Sequence, residues 1–307
     1  MQKQNAAITS RILYKSSLVP LLGLLLVILF WQYSQNRKTS LRYLDQEGVV
    51  HELILPVQEK IRLASWIQNL FSEDNFAYTT LGSKSISWAT YQNPLPVAGW
   101  RRCCASFSKY NRTLRNGWKT WEKYQHLFPS ADIWMERSTS HPGSSYLLII
   151  HEDRFNEIVM RHRDTFQKIL SREITDGFQL LQEAKTSSLI DDVLQEHQVL
   201  IGTVLGYGEE NSWKFLRSCE SRIPYGWVWG DEEHYFDGIS VAEDAPVTER
   251  YLARYSCPSF SGHVNSEESI ALKKEYLLTR KKLLEYYKDK DFLEATLSLL
   301  AGYRPPT

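Results

Sequence analysis

"HQVLIGTVLGYGEENSWKF", residues 197–215, sets three glycines (Gly202, Gly206 and Gly208) between an apolar run and a second amphipathic segment. A Gly-rich stretch of this kind is either a phosphate cradle or a corner between two helices. A phosphate loop of the ATPase type needs Lys-Ser or Lys-Thr after its last glycine, so that an ammonium meets the phosphates and a hydroxyl meets the metal. Here Glu209 and Glu210 follow, and two carboxylates repel a phosphate. A dinucleotide fingerprint needs G-x-G-x-x-G after a strand. The order here is G-x-x-x-G-x-G, and Ile190, Leu194, His197, Ile201 and Val204 before it repeat at helical spacing. The corner reading accounts for the glycines and for the two acids. Gly202 and Gly206, one turn apart, let a neighbouring helix come close. Gly206 or Gly208 supplies the left-handed end of one helix, and Glu209 and Glu210 suit the positive start of the next.

Outward from that corner the chain reads as mainly helical. The spacing predicts helices from Pro56, in the first turn, to about Phe71, and over 113–127, 175–185, 188–205, 209–220 and 290–301. A long helix is expected from Asp153, as N-cap, to Leu170. Another begins at a cap on Asn265 or Ser266 and carries the stripe Ile270, Leu277, Leu284 and Tyr287. Strands are expected at 132–137 and 145–151, and "FAYTTLGSKSISW" (76–88) as two strands around Gly82-Ser83. Residues 221–264 read as irregular. No linker or repeat divides 40–307.

"LGYGEENSWKF" and "FAYTTLGSKSIS" together resemble a family of uncharacterised, membrane-anchored proteins of chlamydia-like intracellular bacteria. That family shares a "YTLFG-K-" turn and an "LLGYG--N---F" corner. Tyr78, Gly82, Lys84, Gly206, Tyr207, Gly208, Asn211 and Phe215 match, and Leu81 departs from the Phe of the first motif. The resemblance implies a bacterial envelope location and no known activity.

A second stretch sets the topology. Between Lys15 and Arg37 lie 21 uncharged residues, "SSLVPLLGLLLVILFWQYSQN", long enough as a helix to cover about 31 Å. Its strictly apolar part, Leu18 to Trp31, is short for a span, but Trp31 and Tyr33 suit one interface and Lys15 and Arg37 can snorkel to water. A cleaved signal peptide would need a small-x-small site after the core, where "FWQYSQNRK" stands instead. The expected class is therefore α+β, mainly helical, with a small antiparallel sheet and one N-terminal transmembrane helix. Residues 1–17 form a short tail, 18–36 a single-pass anchor and 40–307 one mixed domain. Basic residues are nearly even on the two sides of the anchor. A short leading tail that stays in the cytoplasm would put the domain in the periplasm.

Composition excludes more than it assigns. Lys+Arg and Asp+Glu balance at 36 each, which leaves no bulk attraction to nucleic acid. Cys103 and Cys104 are adjacent and Cys219 and Cys257 isolated, so there is neither a disulfide scaffold nor a metal signature. No cofactor fingerprint is present. His151, Glu152 and Asp153 stand where a strand meets a helix, and His197 lies on an apolar face as a core histidine.

Two charge blocks are the candidate binding surface. In the first, Arg101, Arg102, Lys109, Arg112, Arg115, Lys119 and Lys123 face the lone acid Glu122 and alternate with aromatics that include Trp118 and Trp121. In the second, acids from Asp231 to Glu249 sit beside Trp227, Trp229 and Tyr235. The blocks read either as solvated faces over core aromatics or as sites, the basic one for lipid headgroups or an acidic polymer and the acidic one for a sugar ring. Three functions follow: a membrane-tethered binding or scaffolding protein with a protein or anionic-polymer partner, a membrane-anchored glycan hydrolase using two carboxylates of 231–237, or a secreted effector or interaction module.

Overall fold

A computed structural model of the chain describes residues 37–72, 74–92, 108–130, 132–138, 144–221, 227–228, 258, 260–262 and 265–305. The apolar segment 18–36 and most of 221–264 lie outside the described residues. Among the described residues no helix is long and apolar enough to cross a membrane.

The fold is α+β, mainly helical, with small antiparallel sheets. The chain enters through a hairpin of β1 (Lys38–Leu44) and β2 (Val50–Pro56). The Asp45 carboxylate accepts from the Glu47 and Val49 amides, and Gly48 takes φ +79°. Leu41, Tyr43, Leu53 and Leu55 alternate inward. Alternating residues around an Asp-x-x-Gly turn mark this hairpin in the sequence, where only a helix from Pro56 is expected. Pro56 ends the strand, and α1 (Val57–Ser72) starts one residue later, its first amide donating to the Arg37 carbonyl at 2.9 Å.

The main sheet is three-stranded, in the order β3 (Ile86–Gln92), β5 (Ser144–His151), β4 (Ile133–Ser138). Leu147 to Ile150 of the central strand are fully buried because the sheet is covered on both faces. One face, with Ala89, Leu147 and Ile149, packs on α1, α3 (Lys109–Tyr124) and the C-terminal α9 (Glu267–Tyr287) and α10 (Phe292–Leu300). The other, with Ile86, Leu148 and Ile150, packs on α4 (Glu152–Arg161), α5 (Arg163–Leu170), α6 (Gly177–Ala184) and α7 (Gln198–Val204).

Several expectations are corrected. Of 76–88 only Ile86–Trp88 are strand: Phe76–Thr80 form a fully buried helical turn, α2, entered through Asn75 at φ 61°. Tertiary burial overrides the β preference of its Tyr and Thr residues. The helix expected over 153–170 breaks at His162 into α4 and α5, and its N-cap is His151, with Asp153 inside the first turn. The helix expected over 188–205 becomes a π turn (Leu189–Val193) and α7. Ser188 accepts from the Asp191 amide, Asp192 from the Ser188 amide, and Gln195 and Glu196 both take φ 52°. Local side-chain bonds here outcompete the helical ladder. On α9, Leu277 and Leu284 are half-buried and Tyr287 fully so, but Ile270 is exposed. The inward face is instead built from Ser269, Tyr276, Thr279, Leu283 and Tyr286.

Candidate functional site

The corner between α7 and α8 (Glu209–Ser221) is as the glycines foretold. Gly206 and Gly208 take φ +80° and +88°, conformations that side chains resist. A Cβ on Gly202 would collide with Ser212 of α8, so that glycine sets the close approach of the two helices. The anion seat at the start of α8 is already filled from within the chain. The Glu268 carboxylate on α9 accepts from the amides of Glu210 (3.3 Å) and Asn211 (2.9 Å), and a Cβ on Gly208 would run into it. Glu209 accepts from Thr165 and His162. Burial pushes Glu209 up, yet those bonds hold it below the ordinary carboxylate value. A phosphate would have to displace a bound carboxylate. The stretch is a corner.

The two motifs, far apart in sequence, meet at this place. Ser85 donates to the Val204 carbonyl at 2.5 Å, and Tyr276 donates to the Gly206 carbonyl. Tyr78 packs edge-on against Tyr276 at 5.8 Å. Asn211, fully buried, donates to the Tyr207 carbonyl and to Ser269. Between them Lys84 is 3% exposed, with its ammonium 5.6 Å from the centre of the Tyr207 ring. Burial drives its pKa down to about 7, against the pull of Asp74. Tyr207 is pushed up to about 12 by the same desolvation.

On the other face of the sheet, a pair of carboxylates escaped the sequence reading. Glu136, across the register from Leu148, has one buried oxygen with no hydrogen-bond partner. Burial first, and the negative Asp191 second, raise it to about 7 despite a bond from the Leu189 amide. Ser138 and Ser188 both donate to Asp191. No spacing rule could have picked one Glu in a strand. Nearby in sequence, buried His151 is depressed to about 4, chiefly by desolvation and then by Arg154 and Arg304. His197, half-buried, caps α7 by accepting from the Val199 amide.

The candidate surface residues separate. Trp118 and Trp121 are each 4% exposed and pack on Trp66 at 6.2 and 5.8 Å. Gly117 makes that contact possible, since a Cβ there would strike the Trp66 ring. These two tryptophans are core, because on α3 the aromatics fall on the inward face and the cations on the outward one. Trp227 lends its backbone to a two-residue strand paired with Phe260–Ser261. Arg101, Arg102, Trp229 and Tyr235, and the carboxylates of 231–237, lie outside the described residues. Cys219 is a free, exposed thiol. Among the described residues no cluster of His, Cys, Asp or Glu could hold a metal ion.

One of the grooves open to solvent lies between α1 and α3. It has a volume of about 200 Å³ and is lined by Ile61, Arg62, Ser65, Lys109, Arg112, Thr113 and Asn116. It holds three cations, three neutral polar side chains and no acid. None of the three cations has an ion-pair partner among the described residues. The nearby Glu59, outside the groove wall, is bonded by Lys123 and Tyr124 and attracts Arg62 only at longer range.

Comparison with protein families, with curated proteins and with solved structures finds no match.

Proposed function

We propose that the chain is a membrane-tethered binding protein: residues 18–36 hold it in a bilayer, and the basic groove between α1 and α3 is its recognition surface. The observation that carries this reading is the contrast in how charges are used. At the corner, Glu209 and Glu268 are bonded by groups of the same chain, whereas Arg62, Lys109 and Arg112 line one open groove with no countercharge in its wall. Unpaired like charges held together on a folded surface are the footprint of an anionic partner. A scaffolding role with a protein or an acidic polymer as partner fits the same surface, and the family resemblance implies a bacterial envelope as its place.

Fractionation tests the tether. The full chain is expected in the membrane pellet after carbonate washing, and a chain starting at Arg37 in the supernatant, folded. The cut belongs there because Lys38 already pairs with Pro56 and the Arg37 carbonyl holds α1. Release of the full chain by carbonate would end the tethered reading.

A further inference from the structure

The position of the groove relative to the anchor narrows its ligand. The Val57 amide of α1 donates to the Arg37 carbonyl at 2.9 Å, so the first residue after the apolar segment touches the first turn of α1. Arg62 and Ser65 follow on the same helix, only about 7–12 Å further along at ~1.5 Å per residue. The headgroup layer of a bilayer is itself about 5–8 Å deep on each side. With α1 lying along the bilayer surface and 18–36 spanning the hydrocarbon, the groove sits near the depth of the lipid phosphates.

Its chemistry suits that depth. Arg62, Lys109 and Arg112 supply charge, and the Ser65 and Thr113 hydroxyls and the Asn116 amide add neutral donors. Arginine's planar fork fits phosphate oxygens in pairs. The amino-terminal end of α3, capped by Ser108, contributes its positive dipole beside Lys109. Ile61, 52% exposed, sits on the rim. Cations beside an exposed aliphatic side chain match the boundary between headgroups and acyl chains.

We infer that the α1–α3 groove binds the phosphate of an anionic phospholipid headgroup in the leaflet adjoining residue 37, an assignment that rests on the tethered reading above. The bound lipid would fix the orientation of the domain against the bilayer, which a single tether does not do.

The test uses the full chain in nanodiscs of phosphatidylcholine alone or with phosphatidylglycerol, and in neutral detergent with inorganic phosphate. The measured quantity is the acylation rate of Lys109, followed by mass spectrometry of its peptide. Phosphatidylglycerol is expected to slow acylation while phosphatidylcholine and free phosphate leave it unchanged. Arg62→Gln and Arg112→Gln should each weaken the selection of phosphatidylglycerol over phosphatidylcholine among co-purifying lipids about fivefold, and Arg→Lys at the same positions should largely restore it. Slowing by inorganic phosphate in detergent, with no effect of the lipid, would assign the groove to a soluble anion and overturn the headgroup. An unchanged Lys109 rate under all conditions, in a chain that still resists carbonate, would remove the groove and leave the tether standing. Release by carbonate would remove the tether and the lipid assignment with it.

Discussion

The glycine corner and the basic groove are both places where a helix begins beside conspicuous side chains, and they use them in opposite ways. At the corner, α8 starts against the Glu268 carboxylate and Glu209 is held by Thr165 and His162. At the groove, α3 starts beside Lys109 and Arg112, and Arg62 faces them across a gap with no acid in it. A charge answered from within the chain stabilises the fold. A charge left facing solvent beside others of its sign costs the fold a little and is available to a partner. The difference predicts that changes at the corner register in stability and changes at the groove in binding.

The largest effect is expected at Gly206. Its φ is +80°, and a Cβ there would lie 2.6 Å from the Tyr276 hydroxyl. Gly206→Val combines backbone strain with overpacking, about 2–5 kcal/mol in denaturant melts. Gly208→Val should cost less, about 1–3 kcal/mol, because its neighbour is the far end of the Glu268 side chain. ATP, GTP and NAD should leave the melting temperature of the wild type unchanged. A shift of several degrees with any of them, lost in Gly206→Val, would make the corner a nucleotide site after all.

Next in size is Lys84. Its folded pKa is about 7, against an ordinary value of 10.5, so between those limits the unfolded chain holds the extra proton. Stability therefore rises with pH across that window, by an amount on the order of a few kcal/mol. Lys84→Met removes the buried amine while keeping much of its length, and should flatten the rise between pH 7.5 and 9.5. Glu136 acts in the opposite sense. Its folded value, about 7, lies above the ordinary 4.5, so its contribution is lost as pH rises through that interval. A Lys84→Met chain that keeps the full alkaline rise would show that this lysine is solvated in solution.

How much of this was legible in the sequence depends on distance along the chain. The corner could be read because glycines, helical spacing and the following acids all lie within one short stretch. The occupant of its anion seat could not, since Glu268 is 58 residues from Glu210. The cations of α3 were visible as composition. That Trp118 and Trp121 turn inward while Arg112 turns outward depends on where α1 packs, and Gly117 was the quiet local sign of that contact. No local pattern links Arg62 to them, because it belongs to a different helix. The turn at 76–80 was misread because Tyr and Thr favour strands until the core encloses them.

A smaller effect is expected from Glu268→Gln. The two α8 amides donate to different carboxylate oxygens, so the single amide oxygen of glutamine keeps only one of the two bonds, and the charge that complements the helix start is lost as well. The cost should be about 1–2 kcal/mol. Adding salt should shrink it only slightly, because the site is partly enclosed.

The smallest effect is the sharpest test of the comparison. Arg62→Gln and Arg112→Gln remove exposed cations that make no ion pair among the described residues, so each should change folding stability by less than about 0.5 kcal/mol. If these side chains helped to hold α1 against α3, the double variant would lose twice as much. It should instead gain a little, because three like charges lining one small groove repel one another and removing two relieves that repulsion. Raising the salt should erase the gain, since these charges are exposed and screened within about 10 Å at 0.1 M. Denaturant melts of the wild type and the double variant at low and high salt measure both effects. A loss above 1 kcal/mol would mean that the groove cations are structural after all, answered by partners within the chain as the corner carboxylates are, and the distinction between the two regions would collapse.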